Sequence, residues 1–298
     1  MVTSAARGSP TPISFDEVGD PAGFPVVFHH GAPCSRLLPD WWDSLAKARG
    51  LRIVCFDRPG YGDWPAQPGR TVLDVVAATS RAADELGIER FASWGVSSGV
   101  PFAVACAAIL GERVAAVAAV AGGAPNDGSP DWLPEWARES STEEIERHFR
   151  PALAGRRSVV ADALQQSAAE LRAFDVPGWL EAWSDVFSPA DKRALDGQTA
   201  AYLLGNIQEA LRPGIDGWVD DEIAFAQPWR VNLAAVRQPA SVWHGDEDRI
   251  IAPANARLLA ARIPGAALFV VQGQGHPSLI FRQVEPTIDW ISQHVGSA

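Results

Sequence analysis

Trp94-Gly95-Val96-Ser97-Ser98-Gly99 lies between two apolar stretches, and its reading decides the fold. Phe91, Ala92 and Trp94 before it read as a buried strand, and Pro101 to Leu110 after it as a helix. A glycine-flanked serine at a sharp strand-to-helix turn is the G-x-S-x-G pattern of a nucleophile elbow, which holds the serine in a strained conformation so that its Oγ projects above a sheet. Glycine is needed on either side because a Cβ there would strike the neighbouring strand or helix. The helix that begins just past the serine directs unpaired N–H groups at the same spot, where negative charge on a substrate oxygen would be stabilised. Pro101 fits a first helical turn, which has no intrahelical use for its N–H.

Outward from this stretch, apolar runs alternate with helix-like segments. Residues 11–18 read as an edge strand, Pro25 to His30 as a buried strand, 38–49 as a helix, and Leu51 to Phe56 as a strand. A helix follows at 71–87, and after the elbow comes a further strand, Val114 to Ala121. That alternation predicts βαβ units and a mostly parallel sheet flanked by helices, hence an α/β fold. From Ala124 helix-like segments with intervening prolines and glycines replace it, and six of the twelve tryptophans fall there (Trp132, Trp136, Trp179, Trp183, Trp218, Trp229). The sheet pattern resumes at Ala240 to His244, with a helix at 253–263, a strand from Ala267 to Val271 and a closing helix at 277–295. The expected organisation is a core of residues 1–123 and 229–298 around an inserted helical cap at 124–228.

Composition excludes several classes. A net charge of −11 without any basic stripe argues against a nucleic-acid partner. Cys34, Cys55 and Cys106 are too widely spaced for a zinc site and odd in number for a disulfide framework, which suits a reducing cytoplasm. The amino-terminal residues lack the apolar core of a signal peptide, and the run from Pro101 is too short to span a bilayer. Neither a membrane partner nor a metal or cofactor is expected. Gly60-Tyr61-Gly62 lacks a third glycine and meets Pro65 instead of a helix, so it is not a dinucleotide fingerprint.

An activated serine needs a base, and the base needs an orienting carboxylate. His276, in the loop after the last predicted strand, would share the carboxyl edge of the sheet with Ser97. The carboxylate should come from Asp246-Glu247-Asp248, after the strand ending at Gly245, with Asp127 the fallback from another strand end. His244 reads as a core imidazole. His29 and His30 face opposite sides of one strand and so cannot share a metal, while His148 and His294 lie on polar helical segments and read as solvated.

Four features together, His30-Gly31-Ala32-Pro33, Gly95-Val96-Ser97-Ser98-Gly99, His244-Gly245-Asp246-Glu247-Asp248 and Gly275-His276, resemble the α/β-hydrolase superfamily over nearly the whole chain. The Asp57-Arg58-Pro59-Gly60-Tyr61-Gly62 loop matches too, although Trp64 stands where a small polar residue is often found. The resemblance implies catalytic residues Ser97, Asp248 and His276, with the backbone N–H groups of Ala32 and Ser98 as an oxyanion hole. It leaves the substrate-binding residues and the oligomeric state open. It implies a serine hydrolase acting on a carboxylic ester or related acyl bond of a small hydrophobic molecule. Lactone, thioester or carbon–carbon hydrolysis and cofactor-free perhydrolysis would use the same residues, and a ligand-binding or cyclase-like protein could use the same fold. The HGGPG form of proline iminopeptidase relatives is absent, because Ala32 and Cys34 replace glycines.

Overall fold

The computed structural model describes residues 13–126 and 149–295. The fallback acid Asp127, together with Trp132, Trp136 and His148, lies outside the described residues. Seven strands form one sheet: β1 (Phe15–Gly19), β2 (Phe24–His29), β3 (Leu51–Phe56), β4 (Phe91–Val96), β5 (Val114–Val120), β6 (Ala240–Gly245) and β7 (Ala267–Val271). Their order is β1-β3-β2-β4-β5-β6-β7, with β1 antiparallel at one edge and every other pairing parallel.

Alternate residues of each central strand feed opposite layers, as the pleat requires. Val27, Val54 and Phe56 pack under α2 (Val72–Glu85), α3 (Val100–Leu110) and the later helix Ala254–Arg262. Val26, Phe28, Ile53 and Trp94 pack on the other face against α1 (Trp42–Lys47) and the closing helix Val284–Val295. Central strand β4 and the first eight residues of α3 are wholly buried, as expected of elements apolar all round and covered on both sides.

Six described helices follow β5 before the sheet resumes: α4 (Arg150–Leu153), α5 (Arg157–Ala173), α6 (Val176–Ala182), α7 (Pro189–Ala194), α8 (Gly197–Ala210) and α9 (Asp216–Ala226). They enclose a small core of their own around Leu164, Trp179, Phe187 and Leu204, so this helical insertion is a packed unit. The remaining helices are α10 (Ala254–Arg262), α11 (His276–Arg282) and α12 (Val284–Val295).

Two helices differ from their sequence reading, each because of a proline. The predicted 277–295 helix is broken at Gln283. Pro286 has no N–H and its ring would strike the carbonyl four residues back, so it is tolerated only in the first turn of a new helix. The predicted 38–49 helix begins at Trp42, because Pro39 and Asp40 form a preceding turn that accepts from the Trp42 and Asp43 amides (2.9 and 3.1 Å). His294, read as solvated, is half-buried: it stacks on Trp290 at 4.1 Å and donates from Nδ1 to the Trp290 carbonyl. Among the described residues, no helix is long and apolar enough to cross a membrane.

Candidate active site

Because β2 to β7 run parallel, the loops after them emerge at one edge. The chain crosses from β2 to β3 on one side and places β4 on the other, so the loops after β2 and β4 diverge around a crevice, the switch point where ligands bind in open α/β sheets. Ser97 sits at the end of β4 with φ 52°, a left-handed conformation uncommon for a residue with a side chain. The turn is possible only because its neighbours carry no side chain. A Cβ on Gly99 would lie 2.0 Å from the His29 carbonyl oxygen, and one on Gly95 would lie 2.7 Å from the Gly99 carbonyl oxygen. A three-residue 3-10 turn containing Ser98 leads from Ser97 into α3.

His276 opens α11, and Asp248 lies in the loop after β6. The Ser97 hydroxyl is 3.0 Å from His276 Nε2, and His276 Nδ1 is 2.8 Å from Asp248 Oδ2. The carboxylate can only accept, so Nδ1 carries the proton and donates, leaving the Nε2 lone pair to accept from the serine hydroxyl. Asp248 Oδ1 accepts from the Ile250 and Ile251 amides (2.8 and 2.9 Å). His244 Nε2 donates to the Ile251 carbonyl at 2.8 Å and lies 3.2 Å from Asp248 Oδ2, so this core imidazole backs the carboxylate. Asp246 points elsewhere and accepts from the Gly273 amide at 2.6 Å, tying the β6 loop to the β7 loop.

The electrostatics follow from these partners. Burial disfavours the Asp248 anion, but His276 and His244 outweigh it and hold the carboxyl well below the usual range. Burial likewise opposes a charged His276, and Asp248 more than offsets it, so the imidazole pKa lies above its ordinary value.

The His30-Gly31-Ala32 loop passes directly over the serine: a Cβ on Gly31 would lie 3.3 Å from Ser97 Cβ and 3.8 Å from its Oγ. Arg58 fixes that loop, Nη1 donating to the His30 carbonyl (2.7 Å) and Nη2 to the Gly31 carbonyl (3.0 Å), which also accepts from His30 Nδ1 (2.7 Å). In a trans peptide the C=O and N–H point opposite ways, so anchoring the Gly31 carbonyl turns the Ala32 N–H away from Arg58. The guanidinium is in turn paired with Asp221 of α9, which also binds Arg70 and the Tyr61 hydroxyl. A second insertion residue, Asp191 of α7, accepts from the Ser278 amide in the first turn of α11 (2.8 Å), next to His276. The insertion therefore braces both sides of the serine. Sequence reasoning assigned no role to Arg58, Asp221 or Asp191, whose partnerships link positions far apart in the chain.

A cavity of about 220 Å³ opens on Ser97 and His276 beneath the insertion, with Ala32, Trp179, Phe187 and Trp218 among its walls. Among the described residues there is no group of three or more His, Cys, Asp or Glu side chains that could hold a metal ion.

The strand order, the single antiparallel edge strand and the helical insertion after β5 define an α/β-hydrolase fold. The chain belongs to the alpha/beta hydrolase fold family, whose sequence profile matches residues 25–283. The non-heme haloperoxidase of Rhodococcus erythropolis is 28% identical over 271 residues, 86% of each chain. The proline iminopeptidase of Neisseria gonorrhoeae is 25% identical over 274 residues, 89% of this chain and 86% of its own. Among solved structures, the enol-lactonase of Burkholderia xenovorans LB400 superposes with a TM-score of 0.66 at 18% identity over 96% of both chains, a likeness of fold.

Proposed function

We propose that this protein is a cytoplasmic serine hydrolase that cleaves a carboxylic ester or related acyl bond of a small, largely hydrophobic substrate through an acyl-serine intermediate. The observation that carries this reading is the unbroken hydrogen-bond path from Ser97 through His276 to Asp248, opening on an apolar cavity. As Ser97 Oγ bonds to the substrate carbonyl carbon, its proton passes to His276 Nε2, and Asp248 stabilises the imidazolium. The Ala32 and Ser98 amides receive the oxyanion, each worth on the order of 3 kcal/mol in the transition state. His276 returns the proton to the leaving alcohol, and water repeats the sequence to free Ser97. The 124–228 insertion acts as the cap, bracing the Ala32 loop through Asp221 and roofing the cavity with Trp179 and Trp218.

The haloperoxidase relative favours a second reading with the same residues. Hydrogen peroxide in place of water would attack the acyl-serine carbonyl, releasing a peracid and the free serine. Ala32 and Cys34, where an iminopeptidase-like HGGPG loop would carry glycines, keep ester cleavage ahead of peptide release. Turnover of a short-chain nitrophenyl ester by wild type and Ser97→Ala tests the reading. The variant should stay folded with less than about a hundredth of the wild-type rate, and a higher residual rate would refute it.

A further inference from the structure

Helix α9 carries four acidic residues, and three of them are answered by arginines. Asp216 and Asp220 pair with Arg157, and Asp221 pairs with Arg58 and Arg70. The fourth, Glu222, lines the cavity that holds Ser97 and His276. Its one hydrogen-bond partner among the described residues is the Trp218 indole N–H, one turn earlier on the same helix, at 2.9 Å. No cation pairs with it there. Burial pushes the Glu222 pKa up to about 7, against the Trp218 hydrogen bond that favours the anion.

Apart from His276, which Asp248 already partners, the other titratable groups of the described wall offer no competing charge. Burial pushes the Cys34 thiol up to about 12 and the Tyr202 hydroxyl well above its ordinary value. Burial and the nearby Arg58 hold His30 neutral, far below its ordinary pKa. Among the described wall residues Glu222 is thus the only source of negative charge, and the rings of Trp179, Trp183, Phe187 and Trp218 line the same cavity. A carboxylate held in an apolar cavity without a counter-charge is costly, and a ligand that brings a positive charge relieves that cost. Aromatic faces attract the same cation and accept its alkyl groups as apolar surface.

We propose that Glu222 and the tryptophans that share its cavity form an alkylammonium subsite, so that the ester cleaved at Ser97 carries a positively charged amine on the part held in the cavity. This rests on the hydrolase reading for the reaction, but the subsite is measurable without it. The charge is what discriminates: a neutral ligand of the same shape gains the ring contacts and leaves Glu222 unanswered.

Calorimetric titration with choline and with its uncharged isostere, in which carbon replaces the nitrogen, tests the subsite at about one pH unit above the Glu222 pKa. Wild type should bind choline more tightly than the isostere by about tenfold or more. Glu222→Gln keeps the shape and an acceptor for Trp218, so it should erase the preference by weakening choline alone. Matched melting curves would show the variant folded. Equal or weaker binding of choline by wild type, or a preference that survives Glu222→Gln, overturns the subsite. Fluorophosphonate labelling of Ser97 in the same preparation separates the two ideas. Labelling without a choline preference removes the subsite and spares the hydrolase reading, and a choline preference without labelling does the reverse.

Discussion

Arg58 and Asp221, 163 residues apart in the chain, form a buried ion pair that ties the loop after β3 to helix α9 of the insertion. Burial disfavours the Asp221 anion, but Arg58 and Arg70 overcome it and lower its pKa from the ordinary 3.8 to about 2. A carboxyl depressed on folding contributes stability in full above its unfolded value and loses it as the pH falls through the folded value. Asp221→Asn leaves two buried guanidinium groups short of their partner and should cost about 3–5 kcal/mol at neutral pH. Denaturant midpoints measured across pH should show that deficit constant near neutrality and shrinking between about pH 4 and pH 2. A deficit that grows on acidification would contradict the pairing.

The elbow makes a contrasting pair of predictions about glycine. Gly99→Ala puts a methyl group 2.0 Å from the His29 carbonyl oxygen, in rigid backbone that cannot step aside, and should cost more than about 2 kcal/mol or prevent folding. Gly205, in the middle of α8, has nothing within 4 Å of the position a Cβ would take. Gly205→Ala should therefore stabilise the protein by about 0.5–1 kcal/mol in thermal or chemical unfolding. Equal effects at the two positions would mean that the close approach at the elbow is wrong.

The acid limb of the pH–rate profile tests the electrostatics around His276. The proposed base must be neutral to accept the serine proton, and its pKa lies above the ordinary 6.5 because Asp248 outweighs burial. The limb in kcat/KM should therefore have its midpoint above 6.5 in wild type. Asp248→Asn removes the charge that favours the imidazolium, so the midpoint should move to lower pH. The maximal rate should fall by about three to four orders of magnitude, because an amide favours the wrong imidazole tautomer. Asp246→Asn, which alters only the Gly273 contact, should leave most of the activity intact. If Asp246→Asn abolishes turnover and Asp248→Asn preserves it, the orienting carboxylate has been assigned to the wrong residue.

Strand β3 was legible in the sequence to the residue, because an apolar run from Leu51 to Phe56 is bounded by Gly50 and Asp57. Residues whose position depends on the chain alternation, such as Ser97 and His276, could be placed at one sheet edge from sequence, and the structure brings them together with Asp248. The break before α12 was missed because the apolar spacing of Ile288 and Ile291 outweighed the local effect of Pro286. Asp220, Asp221 and Glu222 are three consecutive acids, and nothing in the sequence tells them apart. Which of them faces an arginine and which faces the cavity depends on how α9 is rotated against the core, and tertiary packing alone sets that rotation. Arg58 likewise carried a motif but no visible partner, since Asp221 is brought to it only by the folding of the insertion.

The central claim is that Ser97 is an activated nucleophile, and covalent labelling with a serine-directed fluorophosphonate followed by peptide mapping tests it most directly. The expected result is one adduct per chain, on Ser97, formed by folded protein and lost on unfolding or in His276→Ala, because the elbow serine opens on the cavity with a base at 3.0 Å to take its proton, whereas Ser93, 3.1 Å from His29 Nε2, is fully buried and donates to the Ala103 carbonyl. Folded wild-type protein that takes up no label on Ser97, or labels equally well without His276, would contradict it.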